Sequence, residues 1–132
     1  MTLTDNKTSY IEGLVSLYHL LINADGYIDE KEIKMGELMK KYENIDDSLF
    51  NHLLDKISSQ KKNEIISDCV DSLNKCEYEL KVKCIAWMSL IANSDGFMAA
   101  EEWKLIYFIY NKELNLNLND ILEMQKHLPR TE

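Results

Sequence analysis

Four acidic side chains recur at matched places in this chain. Asp25 and Glu32 lie in "NADGYIDEKE" (Asn23 to Glu32), and Asp95 and Glu102 lie in "NSDGFMAAEE" (Asn93 to Glu102), 70 residues further on. Carboxylates are hard oxygen donors, so a site built from these four would take Ca²⁺, Mg²⁺ or Mn²⁺ rather than zinc or copper. Asp29 adds a fifth donor in the first copy. Neither stretch is a complete calcium loop on its own. With Asp25 as the fifth loop position, Gly26 and Glu32 fall on the sixth and twelfth, but the first becomes Leu21, or Ile91 in the second copy. A hydrocarbon cannot ligate there. A shared site is the surviving cation reading: a fold that brings both turns together would cluster Asp25, Glu32, Asp95 and Glu102. Without a cation those groups would repel one another and raise each other's proton affinity.

The competing reading is helix punctuation with no ligand. Gly26 and Gly96 can close a helix in the left-handed conformation, Asp29 has N-cap chemistry, and Glu32 completes a capping box three residues later. Two features go against punctuation alone. The capping position of the second copy is Ala99, yet Glu102 is kept. Asp25 and Asp95 also fall where a helix ends, and a negative charge is unfavourable at that end of the dipole.

The elements that must position these residues are helices. "YIEGLVSLYHLLINA" (Tyr10 to Ala24) and "EYELKVKCIAWMSLIANS" (Glu77 to Ser94) are apolar almost all round, which predicts two helices covered on most sides. Each ends in Asp-Gly. A shift of 70 residues aligns Leu17–Tyr42 with the second half without a gap, so Asn23 falls on Asn93, Lys34 on Lys104 and Ile33 on Trp103. The expectation is an internally duplicated, all-α bundle of about seven helices in a single domain over 1–132. The repeat halves fall at about 10–75 and 77–128, with a polar tail at 129–132. One proline and four glycines leave little material for the turns of a many-stranded fold.

A second stretch that could do chemistry is "WKLIYFIY", Trp103 to Tyr110. Leu105, Ile106, Phe108 and Ile109 can serve the core. Trp103, Tyr107 and Tyr110 then form an i, i+4, i+7 stripe of amphipathic aromatics, a composition enriched at protein interfaces. The expected partner is a second protein or a second copy of the chain. A deeper core in the second half would account for the same residues.

Composition narrows the field further. Fifteen basic against 23 acidic residues give a net charge of −8, which repels phosphate backbones and anionic headgroups. Nucleic acid is not expected as a partner. No apolar run approaches the roughly 20 residues that span a bilayer, and the first residues carry no signal pattern, so a cytoplasmic location without membrane insertion is expected. Cys69, Cys76 and Cys84 are seven and eight residues apart, which fits buried thiols better than a metal knuckle or a disulfide framework. His19, His52 and His127 are scattered, without a Cys, His or carboxylate partner at metal-pair spacing, and no Gly-rich phosphate loop occurs. A non-enzymatic protein is expected.

A duplicated helical domain of this length, with "ADGYIDEKE" and "SDGFMAAEE" closing its equivalent helices, resembles the tellurite-resistance TerB-like family, a fold also found at the N-terminus of DnaJ-like co-chaperones. The resemblance covers roughly Tyr10 to Leu128; no "HPD" occurs, so the chain carries no J-domain. It implies a non-enzymatic domain of stress and metal-ion responses, with an acidic divalent-cation site at Asp25, Glu32, Asp95 and Glu102, assisted by Asp29 and Glu30. Ala99 and Ala100 depart from that pattern and make the second half-site poorer. The function expected is divalent-cation binding coupled to protein interaction. The alternative is a pure interaction or scaffold module whose Asp-Gly turns are structural only.

Overall fold

A computed structural model describes residues 3–24, 26, 28–94, 96 and 98–129, with side chains from Lys7 onward. Seven α-helices follow one another: α1 (Leu3–Ile22), α2 (Glu30–Tyr42), α3 (Asp47–Ser58), α4 (Lys62–Asn74), α5 (Tyr78–Ala92), α6 (Ala100–Tyr107) and α7 (Leu118–Gln125). A π-helix, π1 (Phe108–Glu113), continues directly from α6. The fold is all-α, and no strand occurs among the described residues.

The two helices read as apolar all round form the centre. In α1, Leu14, Val15, Leu17 and Leu21 are fully buried; in α5 every residue from Cys84 to Ala92 is buried. The other helices cover them. α4 and α3 pack on α1, α7 and α2 pack on α5, and α1 and α5 contact each other. Helix α1 begins seven residues earlier than its apolar pattern, because "LTDNKTS" is polar and carries no periodicity to read.

The ends of α1 and α5 are built alike. Asn23 Nδ2 donates to the His19 carbonyl at 2.9 Å, and Asn93 Nδ2 donates to the Ser89 carbonyl at 3.1 Å. Gly26 N–H then donates to Asn23 O at 3.2 Å and Gly96 N–H to Asn93 O at 2.8 Å. Both glycines have positive φ, 75° and 85°, a conformation that costs other residues free energy. α2 and α6 start four residues beyond these glycines.

Gly36 marks a close approach of α2 to α1. A Cβ there would lie 2.5 Å from Cε1 and Cζ of Tyr18. That ring is 4% exposed and packs on Phe50 at 5.9 Å between centroids, so it has no room to yield. Alanine is favoured over glycine in a helix by about 1 kcal/mol, but overpacking of this kind costs roughly 1–3 kcal/mol. Gly36→Ala is therefore expected to lower the urea midpoint; a raised midpoint would show that Tyr18 can move aside.

Candidate functional site

The acidic residues take distinct positions around the two turns. Asp25 and Asp95 lie outside the described residues. Glu32 and Glu102 occupy equivalent places in the first turns of α2 and α6, and both are buried, at 5% and 2% exposure. Asp29 is the N-cap of α2: its Oδ1 accepts from Lys31 N at 2.7 Å and from Glu32 N at 3.4 Å. Glu30 is exposed. At the start of α6 the cap residue is Ala99, and Glu102 Oε1 reaches back to accept from its N–H at 3.2 Å. The second copy thus keeps one half of a capping box without the other.

Glu102 also carries the anomaly of the site. Among the described residues its Oε2 is buried with no hydrogen-bond partner, and so is Ser94 Oγ on the other side of the same turn. A buried polar atom left unpaired costs about 1–3 kcal/mol, more when charged, so such atoms are rare in native proteins. A cation is one partner that carboxylate and hydroxyl oxygens accept together. Among the described residues no three His, Cys, Asp or Glu side chains come together as a metal set. Glu32, Glu102 and Asp29 therefore complete no site by themselves.

The aromatic stripe is split between core and surface. Trp103 and Tyr107 are 46% and 38% exposed, with their rings tilted 45° to each other at 5.5 Å between centroids. Tyr110, expected on the same outer face, is instead buried at 4%, and Phe108, expected in the core, is 40% exposed. Helical spacing accounts for both: Tyr110 stands one turn after buried Ile106, about 40° from it, while Phe108 stands about 200° away. The i→i+5 bonding of π1, seen in Leu114 N to Ile109 O at 2.9 Å, turns Tyr110 further toward the side of Ile106. Its ring still meets Tyr107 edge-on at 5.4 Å. The exposed patch is Trp103, Tyr107 and Phe108.

A second cluster went unpredicted. Glu43, the C-cap of α2, has a side chain only 9% exposed. Its Oε2 accepts from Tyr10 Oη at 2.8 Å and from Trp87 Nε1 at 2.7 Å. Lys83 Nζ pairs with the same carboxylate at 3.2 Å. Burial first, and then the Glu43 charge, push the Tyr10 hydroxyl well above its ordinary range, so it remains a donor. A signal existed in the sequence: Glu43 stands at the end of α2, where the dipole disfavours a negative charge, as at Asp25 and Asp95.

The remaining candidates are plain. Cys69, Cys76 and Cys84 are buried; Cys69 Sγ donates to Gly13 O at 3.4 Å, and burial pushes its pKa up to about 12. The reading of the histidines needs one correction. His127 Nε2 lies 3.9 Å from Glu123 Oε1, one helical turn back, in a pair more than 60% exposed on both sides. An exposed pair of that length contributes little. No helix among the described residues is long and apolar enough to cross a membrane.

Among known families, the family model described as "Tellurite resistance protein TerB" matches residues 12–121, from within α1 into α7. No curated protein and no solved structure matches the chain significantly.

Proposed function

The chain belongs to the TerB family, and from that premise we propose that it is a non-catalytic domain of the tellurite-resistance type that binds a divalent cation and couples occupancy to a protein contact. The observation that carries this reading is Glu102, a carboxylate 2% exposed with one oxygen unpartnered among the described residues. The cation is Ca²⁺, Mg²⁺ or Mn²⁺, held by Asp95 and Glu102 together with Asp25 and Glu32, with Asp29 reduced to capping. The coupling follows from adjacency. Glu102 and Trp103 are consecutive on α6, one inside and one outside, so stiffening the turn fixes the Trp103, Tyr107 and Phe108 patch.

One reading from a different class has an observation in its favour. The described residues hold no metal set, while an aromatic patch is exposed, as a pure interaction module requires.

Calorimetric titration of each of the three ions into metal-free protein separates the two. Saturable heat that disappears in Asp25→Asn/Asp95→Asn supports the cation site; absence of heat for all three ions sinks it in favour of the interaction module. Sedimentation of wild type and Tyr107→Glu, with and without the ion that binds, tests the coupling for a second copy as partner. The expected result is a cation-dependent dimer that Tyr107→Glu abolishes.

A further inference from the structure

The Glu43 cluster holds a cation, the chain's own Lys83 ammonium, against a fixed carboxylate. Its carboxylate is fixed by two neutral donors, Tyr10 Oη and Trp87 Nε1, at 2.8 and 2.7 Å. Those residues are 3% and 0% exposed, so they hold the acceptor in place whether or not an ammonium is bound. Two aromatic faces stand beside it. The Tyr42 and Tyr10 centroids lie 5.5 and 5.9 Å from the cation position, and buried Trp87 backs Tyr42 edge-on at 5.6 Å. One carboxylate between aromatic faces suits an ammonium, through cation–π attraction and a charged hydrogen bond. It is too poor in oxygen for a divalent ion.

The position is held by the chain's own Lys83, whose Nζ lies 3.3 Å from Glu43 Oε1 and 3.2 Å from Oε2. Lys83 is the least committed member: its side chain is 24% exposed, and a lysine loses little by swinging its head into water. Beside the cluster opens a cavity of about 390 Å³. Ile11 and Leu80 line it with apolar surface, and Glu77 and Glu79 add two exposed carboxylates. A tetramethylene stem can lie on the first pair while the second pair attracts a basic chain. Counting Glu43, Glu77 and Glu79 against Lys7 and Lys83, the lining has a net charge of −1.

We propose that the Tyr10–Tyr42–Trp87–Glu43 cage receives a lysine side chain from a basic segment of a partner protein, with Lys83 as a tethered competitor that must leave first. An occupant that fills a site part of the time weakens the apparent affinity by the vacant fraction. If Lys83 holds the cage for about nine-tenths of the time, its removal tightens binding about tenfold.

The test follows the indole N–H resonance of Trp87, which donates directly to Glu43, with Trp103→Phe used to assign it. The probe is a blocked Gly-Lys-Gly tripeptide in chelator, and the control is the same peptide with norleucine, which keeps the stem and lacks the ammonium. In Lys83→Met the resonance should shift saturably at about one-tenth of the wild-type peptide concentration. Glu43→Gln, which keeps the acceptor oxygen, should remove the response, and the norleucine peptide should give none. Should Lys83→Met prove unstable, Lys83→Gln replaces it. Equal affinity in wild type and Lys83 variants, an equal response to norleucine, or an undiminished response in Glu43→Gln would each overturn the proposal.

Discussion

Glu43→Ala is expected to cost about 3–5 kcal/mol, the range for breaking a buried, hydrogen-bonded charge network from one side. Alanine would leave Tyr10 Oη and Trp87 Nε1 without their acceptor, in residues 3% and 0% exposed. Two buried donors stranded at about 1–3 kcal/mol each account for most of that loss. Lys83 adds little, because its side chain is 24% exposed and can turn to solvent. Glu43→Gln makes the argument selective. Both neutral donors go to Oε2, so a glutamine oxygen at that place accepts both, and only the Lys83 pair is lost. A pair so near the surface is worth about 1 kcal/mol or less. Urea unfolding should rank wild type just above Gln and far above Ala. Equal losses in the two variants would mean that charge, not the acceptor, holds the end of α2 against α1 and α5.

The contrast between this cluster and the acidic turns shows what the chain's pattern made legible. Apolar periodicity marked the two central helices, and the cap chemistry of Asp29 located the start of α2. The Asp-Gly repeat located both turns, because only a few residues tolerate the positive φ found at Gly26 and Gly96. Glu43 was not legible in that way. Its partners Tyr10, Lys83 and Trp87 lie 33 to 44 residues away, and nothing local marks them. Tyr110 was misplaced because its i+7 relation to Trp103 was read and its i+4 relation to buried Ile106 was not. The aromatic types and spacing were legible there, but how far the core wraps around the stripe was not.

Glu102→Gln should change the sign of its effect with the cation. In chelator, wild type carries a carboxylate 2% exposed with one oxygen unpartnered among the described residues. A neutral amide of the same shape still offers an oxygen to Ala99 N–H, and its desolvation is cheaper than that of a charge. The variant should therefore be more stable than wild type without metal, by about 1–2 kcal/mol on the scale for an unpaired buried group. Adding the cation should reverse the order. Binding to the folded state alone stabilises by about 2.7 kcal/mol at a free concentration one hundred times Kd, and a variant that has lost a charged ligand gains much less. Chemical denaturation of both proteins, in chelator and then in saturating Ca²⁺, Mg²⁺ or Mn²⁺, reads both halves. Crossing stabilities would tie the buried carboxylate to the ion. A variant that is less stable in chelator would show instead that Glu102 acts as a cap and that its charge is already compensated within the fold. A variant more stable by the same margin in chelator and in every ion would mark the carboxylate as a plain cost at the head of α6, and the exposed Trp103, Tyr107 and Phe108 would then carry the function alone.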